Sequence, residues 1–185
     1  MADTSDFRNG MILRIDGKLF SIVEFQHVKM QQRRPIVRTR LKQIPEGYVL
    51  DKTFMAGDKV EEVRLDRRQC RYLYAAGDLY HLMDVETYEQ FPISKAVIAG
   101  ALPYLVENMV VTLFADGDKP ITVDLPFIVE IAVKETEPGV RGDTAQGGSK
   151  TAVLESGTTI SVPLFIEAGN VLRIDTRTGR YIERA

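Results

Sequence analysis

Residues 27–42 read HVKMQQRRPIVRTRLK, and both the fold and the function turn on how this stretch is read. It holds six basic residues, Lys29, Arg33, Arg34, Arg38, Arg40 and Lys42, and no carboxylate. An apolar alternation leads in through Ile22, Val23 and Phe25. Another leads out through Ile36, Val37 and Leu41, with the polar run 30–35, MQQRRP, between them. Alternation on both sides of a polar break is the pattern of two strands joined by a loop. The expected object is a β-finger with a cationic tip, which an anionic polymer would attract. A merely solvated hairpin end fits the same residues.

The flanking sequence repeats the strand pattern in both directions. Toward the N-terminus, Met11–Ile15 and Lys18–Phe25 flank Asp16-Gly17, a two-residue hairpin signal because both turn positions need positive φ. After the finger come Ile36–Ile44, a turn at Pro45-Glu46-Gly47, Tyr48–Phe54, a break at Gly57-Asp58, and Val60–Leu65. A second group opens with Arg71–Ala75 and Leu79–Met83 around Ala76-Gly77-Asp78, and continues through Val110–Phe114 and Ile121–Leu125 to Pro126. Within it, Ser94–Leu102 is the one segment that reads as a short helix, with Ser94 as N-cap. A third group comprises Phe127–Lys134, Thr151–Leu154, Thr159–Val162, Leu164–Ile166, Val171–Asp175 and Arg180–Glu183. The expectation is an all-β chain of three small modules, residues 1–65, 66–126 and 127–185. Short strands at this spacing suit Greek-key barrels of the oligonucleotide-binding type, and equally small sandwiches.

Composition narrows the function. With 44% apolar and 27% charged residues the chain has the balance of a water-soluble globular protein, and no apolar run approaches the ~18 residues of a membrane span. The opening MADTSDFRNG lacks a secretion pattern, so the expected compartment is the cytoplasm. The net charge of −2 argues against general coating of nucleic acid. Its distribution is uneven: residues 1–64 carry 12 Lys/Arg against 9 Asp/Glu, and residues 65–185 carry 12 against 17. A cationic probe on a mildly acidic body concentrates attraction at one place.

Signs of catalysis are missing. The two histidines, His27 and His81, fall in different modules without a second ligand at metal spacing. The single cysteine, Cys70, sits among strand residues and reads as a buried, inert thiol. There is no phosphate-binding Gly-x-x-x-x-Gly-Lys-Ser/Thr loop and no Gly-x-Ser-x-Gly elbow. The segment 139–150, GVRGDTAQGGSK, is either a plain connection or a backbone able to approach a phosphate or base closely, with Arg141 and Lys150 beside it. The expected class is a binding protein, with no metal and no cofactor.

A family resemblance now enters, carried by ordered motifs along nearly the whole chain. They are Asp6-Phe7-Arg8-Asn9-Gly10, Lys52-Thr53-Phe54, Tyr72-Leu73-Tyr74, residues 83–90 (MDVETYEQ), residues 138–144 (PGVRGDT), Val162-Pro163-Leu164-Phe165 and residues 175–181 (DTRTGRY). Together they resemble bacterial translation elongation factor P. The resemblance implies an SH3-like (KOW-like) first barrel, two OB-fold barrels after it, and an L-shaped outline. It also implies a monomer that enters the ribosome between the peptidyl and exit sites at stalls on consecutive prolines. The finger would then reach along the acceptor end of peptidyl-tRNA (tRNA-Pro). Gln31, Gln32, Arg33 and Arg34 form the tip, and Lys29, Arg38, Arg40 and Lys42 meet tRNA or rRNA backbone. Gly142, Asp143 and Thr144 would approach the exit-site mRNA codon, and Tyr181 and Arg184 the small subunit.

The tip departs from the family pattern. The family usually has Lys-Pro-Gly-Lys-Gly, or Arg at the fourth place, where this chain has Lys29-Met30-Gln31-Gln32-Arg33. In many members that fourth residue is covalently extended. Gln32 offers an amide whose nitrogen is neither basic nor nucleophilic, so the expectation is an unmodified tip that hydrogen-bonds through its own amide. Arg33 or Arg34 as the working residue is the alternative. Two other functions also stay open: a paralogue of the factor with different clients, and an OB-fold nucleic-acid binder unconnected with the ribosome.

Overall fold

Asp16 and Gly17 adopt φ of 51° and 78°, as the two-residue turn demands, and this turn fixes the register of the first sheet. The computed structural model describes residues 2–29, 34–138 and 148–185. The first sheet has six strands: β1 (Ala2–Asp3), β2 (Ile12–Ile15), β3 (Lys18–Val28), β4 (Ile36–Ile44), β5 (Val49–Met55) and β6 (Lys59–Val63). Their spatial order is β1-β6-β2-β3-β4-β5. Phe7, Leu13, Phe20, Ile22, Val37, Leu41 and Phe54 are packed together in its interior. Phe7 meets Phe25 and Phe54 edge-on, at ring-centroid distances of 6.4 and 5.4 Å, an arrangement aromatic quadrupoles favour.

The second sheet contains β7 (Asp66–Ala76), β8 (Leu79–Asp84), β9 (Gln90–Ser94), β10 (Val110–Asp116) and β11 (Lys119–Asp124), ordered β11-β10-β7-β8-β9. The third contains β12 (Ile128–Thr136), β13 (Ser149–Leu154), β14 (Thr159–Pro163), β15 (Val171–Asp175) and β16 (Arg180–Arg184), ordered β14-β13-β12-β15-β16. Numbered within each sheet, both run 3-2-1-4-5, so the second and third sheets repeat one topology. The fold is all-β, as the strand pattern predicts.

By contact density the chain forms two compact units, one of residues up to Arg67 with Phe114–Thr122, the other of Arg68–Leu113 with Val123–Ala185. Phe114–Thr122 joins the first unit through Ile121, which packs with Leu19 and Val63. Arg14 pairs there with Glu61 and Asp116 at 2.9 and 2.8 Å. In the second unit Gly179 (φ 69°) lies under Tyr104, whose hydroxyl would be 2.5 Å from any Cβ added there.

Three local expectations need correction. The helix is only Lys95–Ile98 (α1); Ser94 holds the N-cap position but makes no capping hydrogen bond. Gly100 interrupts the rest, and a 3-10 turn at Leu102–Tyr104, with Pro103 inside it, follows. Leu164–Ile166 is not a strand. β14 ends at Pro163, the Ile166 N–H donates to Pro163 O at 3.2 Å, and the Ile166 side chain is fully buried. Finally β9 lies where the sequence shows no strand pattern, since Pro92 and the polar Gln90 and Ser94 leave only Phe91 and Ile93 to mark it; as an edge strand it tolerates proline.

Candidate nucleic-acid interface

The finger is an arm three strands wide. β3 pairs with β4 from Leu19–Ile44 to Val28–Ile36, and β4 pairs with β5 from Lys42–Val49 to Ile36–Met55. A bulge at Val23 separates the Ile22–Leu41 and Glu24–Arg40 pairs. Beyond it Phe25 and His27 share the inner face with Thr39 and Val37, and Glu24 and Gln26 turn outward. Thr39 is buried, and its hydroxyl donates to the Lys52 carbonyl at 2.7 Å, fastening β4 to β5. The return leg is held at its outer end, where the Ala56 N–H donates to Pro35 O at 2.9 Å.

Arg38, Arg40 and Lys42 alternate on the outer face of β4, all exposed, with about 7 Å between successive positions. Their cross-strand neighbours differ. Arg38 lies between Gln26 and Thr53, and Lys42 between Ser21 and Val49. Arg40 lies between two carboxylates, Glu24 on β3 and Asp51 on β5. The quoted stretch contains no acid, but the sheet brings two against its middle cation, and strand register is a long-range property that one segment cannot reveal. Lys29 and Arg34 are exposed at the outer end. Among the described residues none of these five cations has an ion-pair partner within 4.0 Å.

Gln31, Gln32 and Arg33 lie outside the described residues, as do Gly142, Asp143 and Thr144. Tyr181 and Arg184 are in the second compact unit. Tyr181 is half-buried against the third core, opposite Ile174, whereas Arg184 is exposed opposite Leu172; a bulge at Ile182 keeps both on one side of β16. Nearby, Arg177 grips Asp175 at 2.7 Å and lies 4.8 Å from the Phe127 ring centroid. Its guanidinium and backbone N–H hold the Asp175 carboxyl at about 2.

The remaining chemistry is quiet. Burial pushes the Cys70 thiol up to about 11, and the side chain is fully enclosed, far from the low value a nucleophilic thiol needs. Among the described residues no three His, Cys, Asp or Glu side chains are grouped to hold a metal ion. Among the described residues no helix is long and apolar enough to cross a membrane.

Comparison with known proteins matches this architecture sheet by sheet. The model of the elongation factor P KOW-like domain matches residues 3–60, that of the elongation factor P OB domain residues 65–123, and that of the elongation factor P C-terminal domain residues 129–184. Elongation factor P of Corynebacterium kroppenstedtii is 50% identical over 184 residues, covering 100% of this chain and 98% of its own length. That of Moorella thermoacetica is 49% identical over 185 residues, covering both chains completely. Among solved structures, a eukaryotic translation initiation factor 5A from Methanococcus jannaschii overlays 67% of this chain and 92% of its own. It does so with a TM-score of 0.54 at 23% identity, a likeness of fold.

Proposed function

The chain belongs to the elongation factor P family and is a translation elongation factor, and from that premise we propose that it acts on stalled ribosomes with an unmodified finger. The observation that carries the reading is the outer end of the arm, where Arg38 stands between the neutral Gln26 and Thr53 and Lys29, Arg34 and Arg38 have no ion-pair partner among the described residues. Cations left unneutralised in this way are suited to backbone phosphates, which fix position without reading sequence. The arm enters between the peptidyl and exit sites and lies along the acceptor end of peptidyl-tRNA, with Gln31, Gln32, Arg33 and Arg34 nearest the reacting ester.

The help given is positional. Proline is a poor nucleophile, and a nascent Pro-Pro end holds the ester in unreactive geometries. A misplacement of ~1 Å can cost on the order of 100-fold in rate, so a factor that clamps the CCA end relieves a stall without donating a catalytic group. Gln32 serves through its own amide. Two glycines of the family pattern are replaced, by Gln31 and Arg33, and residues other than glycine have less backbone freedom to lose on docking. Gly142, Asp143 and Thr144 meet the exit-site codon, and Tyr181 and Arg184 the small subunit. The factor works as a cytoplasmic monomer, without a cofactor.

The test is reconstituted translation of reporters with and without three consecutive prolines, using protein made where no modifying enzymes are present. Wild type relieves the stall and Gln32→Ala does not. Relief by both moves the tip role to Arg33 or Arg34; relief by neither refutes the unmodified finger and favours a paralogue with other clients. Intact mass of protein from its native host must show no group added to residues 29–35.

A further inference from the structure

The central sheet carries an exposed aromatic surface that the finger mechanism leaves unused. On β7 and β8 the side chains of Cys70, Tyr72 and Leu82 point into the core, and Ile93 joins them from β9. Arg71 therefore faces outward, opposite Met83, which is opposite Gln90. A bulge at Leu73 then breaks the alternation. It sends Tyr74 outward, opposite His81, which is opposite Pro92. Without that extra residue Tyr74 would point inward with Tyr72, so the bulge re-aims one ring to the surface, a recognised use of bulges.

The ring arrives in a defined pose. Tyr74 stacks on His81 with centroids 4.5 Å apart and planes 18° from parallel, and 47% of Tyr74 stays open to solvent. Leu79, Met83 and Pro92 extend the apolar strip, and Arg71 stands one row away, exposed and without an ion pair among the described residues. A flat pair of π-faces with one available guanidinium beside it matches a nucleobase and its phosphate. A protein anchor would instead call for a concave pocket. Tyr74 and Arg71 are on the first strand of this five-stranded OB topology, and His81, Met83 and Pro92 on the second and third, the strands whose face holds oligonucleotides in such barrels.

We propose that the Tyr74–His81 stack is a second RNA contact, taking one unstacked base of single-stranded RNA with Arg71 on its backbone. Binding by stacking is sequence-tolerant because every base has a π-face. This goes beyond the finger and does not depend on it.

The experiment titrates the full-length protein with a short single-stranded RNA carrying 2-aminopurine, at low salt. Quenching of the base is expected, about 5- to 150-fold weaker binding for Tyr74→Ala, and near-normal binding for Tyr74→Phe, which keeps the ring. Arg71→Gln should lower the salt slope by about 0.7, one single-strand phosphate. Tyr74→Ala is checked by circular dichroism, and Arg71→Gln gives an independent reading at a side chain outside the core. Absence of RNA binding, or binding lost in Arg38→Ala and intact in Tyr74→Ala, overturns the proposal.

Discussion

Arg38 and Arg40 are two residues apart on one face of one strand, and the structure predicts that replacing them has different consequences. Each carboxylate beside Arg40 belongs to a directly opposed position, where Cβ atoms are about 5 Å apart. Charges about 5 Å apart in water would attract by roughly 0.8 kcal/mol before salt screening, which sets the upper scale for each of these neighbours. Arg40 therefore lies in the field of two acids although neither comes within 4.0 Å of it, and its row carries a net charge of −1. Arg38, between Gln26 and Thr53, presents its whole charge. Arg38→Ala should remove one phosphate contact, lowering the slope of log K against log salt by about 0.7–0.9. Arg40→Ala should change that slope by less than half as much, and lower folding stability by less than about 1 kcal/mol through loss of its attraction to Glu24 and Asp51. The assay is equilibrium binding to ribosomes carrying peptidyl-tRNA over a salt series from about 50 to 200 mM, with urea unfolding alongside. Equal slope changes for the two variants, or a larger one for Arg40→Ala, would refute the reasoning. Glu24→Gln supplies the converse: it should free Arg40 and tighten binding.

Three further outcomes are expected. Gly179→Ala should destabilise by about 2–3 kcal/mol, since its left-handed backbone alone costs about 1–2 and the new methyl meets the Tyr104 hydroxyl; a melting temperature within about 2 °C of wild type would contradict this. Cys70 should resist aromatic disulfide reagents in the native state and react on unfolding. Its folded pKa of about 11 lies above the free value of roughly 8.5, so the stability it lends is complete below the free value and lost as pH rises toward 11, a loss Cys70→Ala should abolish in high-pH unfolding curves. Asp175 shows the opposite sign: its carboxyl is held at about 2, so its contribution is present above about 3.9 and lost as pH falls toward 2. Asp175→Asn should flatten acid unfolding over that interval, and an unchanged curve would show that the Arg177 pair does not matter to the fold.

Most of the strands are legible in the sequence because side-chain alternation and turn chemistry are local. Asp16-Gly17 needs nothing distant to turn, and Ile36–Ile44 alternates without interruption. Features made by tertiary contact are not legible in this way. Leu164–Ile166 has a strand's apolarity because Ile166 plugs the core from a turn, and composition alone does not separate the two. The short N-terminal strand β1 exists only because Ala2 meets Val60. At the candidate site the cations of the finger are plain in the sequence. The acids that single out Arg40 come from Glu24 and Asp51, 16 and 11 positions away from it, and only strand register unites them. The stacked Tyr74 is hidden for a related reason: a bulge reverses the alternation from which its direction would be inferred.

The bulge at Val23 turns the reach of the arm into a question of parity. Deleting one residue of β3 between the bulge and the tip would exchange the faces of what remains, carrying Glu24 or Gln26 inward beside Phe7 and Phe54 and expelling Phe25. A single-residue change of length therefore inverts the arm instead of trimming it. Viable variation should come as matched pairs of residues in both long strands, each step moving the tip by about 7 Å, or as relocation of the bulge itself. Relatives with longer or shorter arms should thus differ in discrete strides, and a stray odd residue should be accompanied by a second bulge that restores the phase.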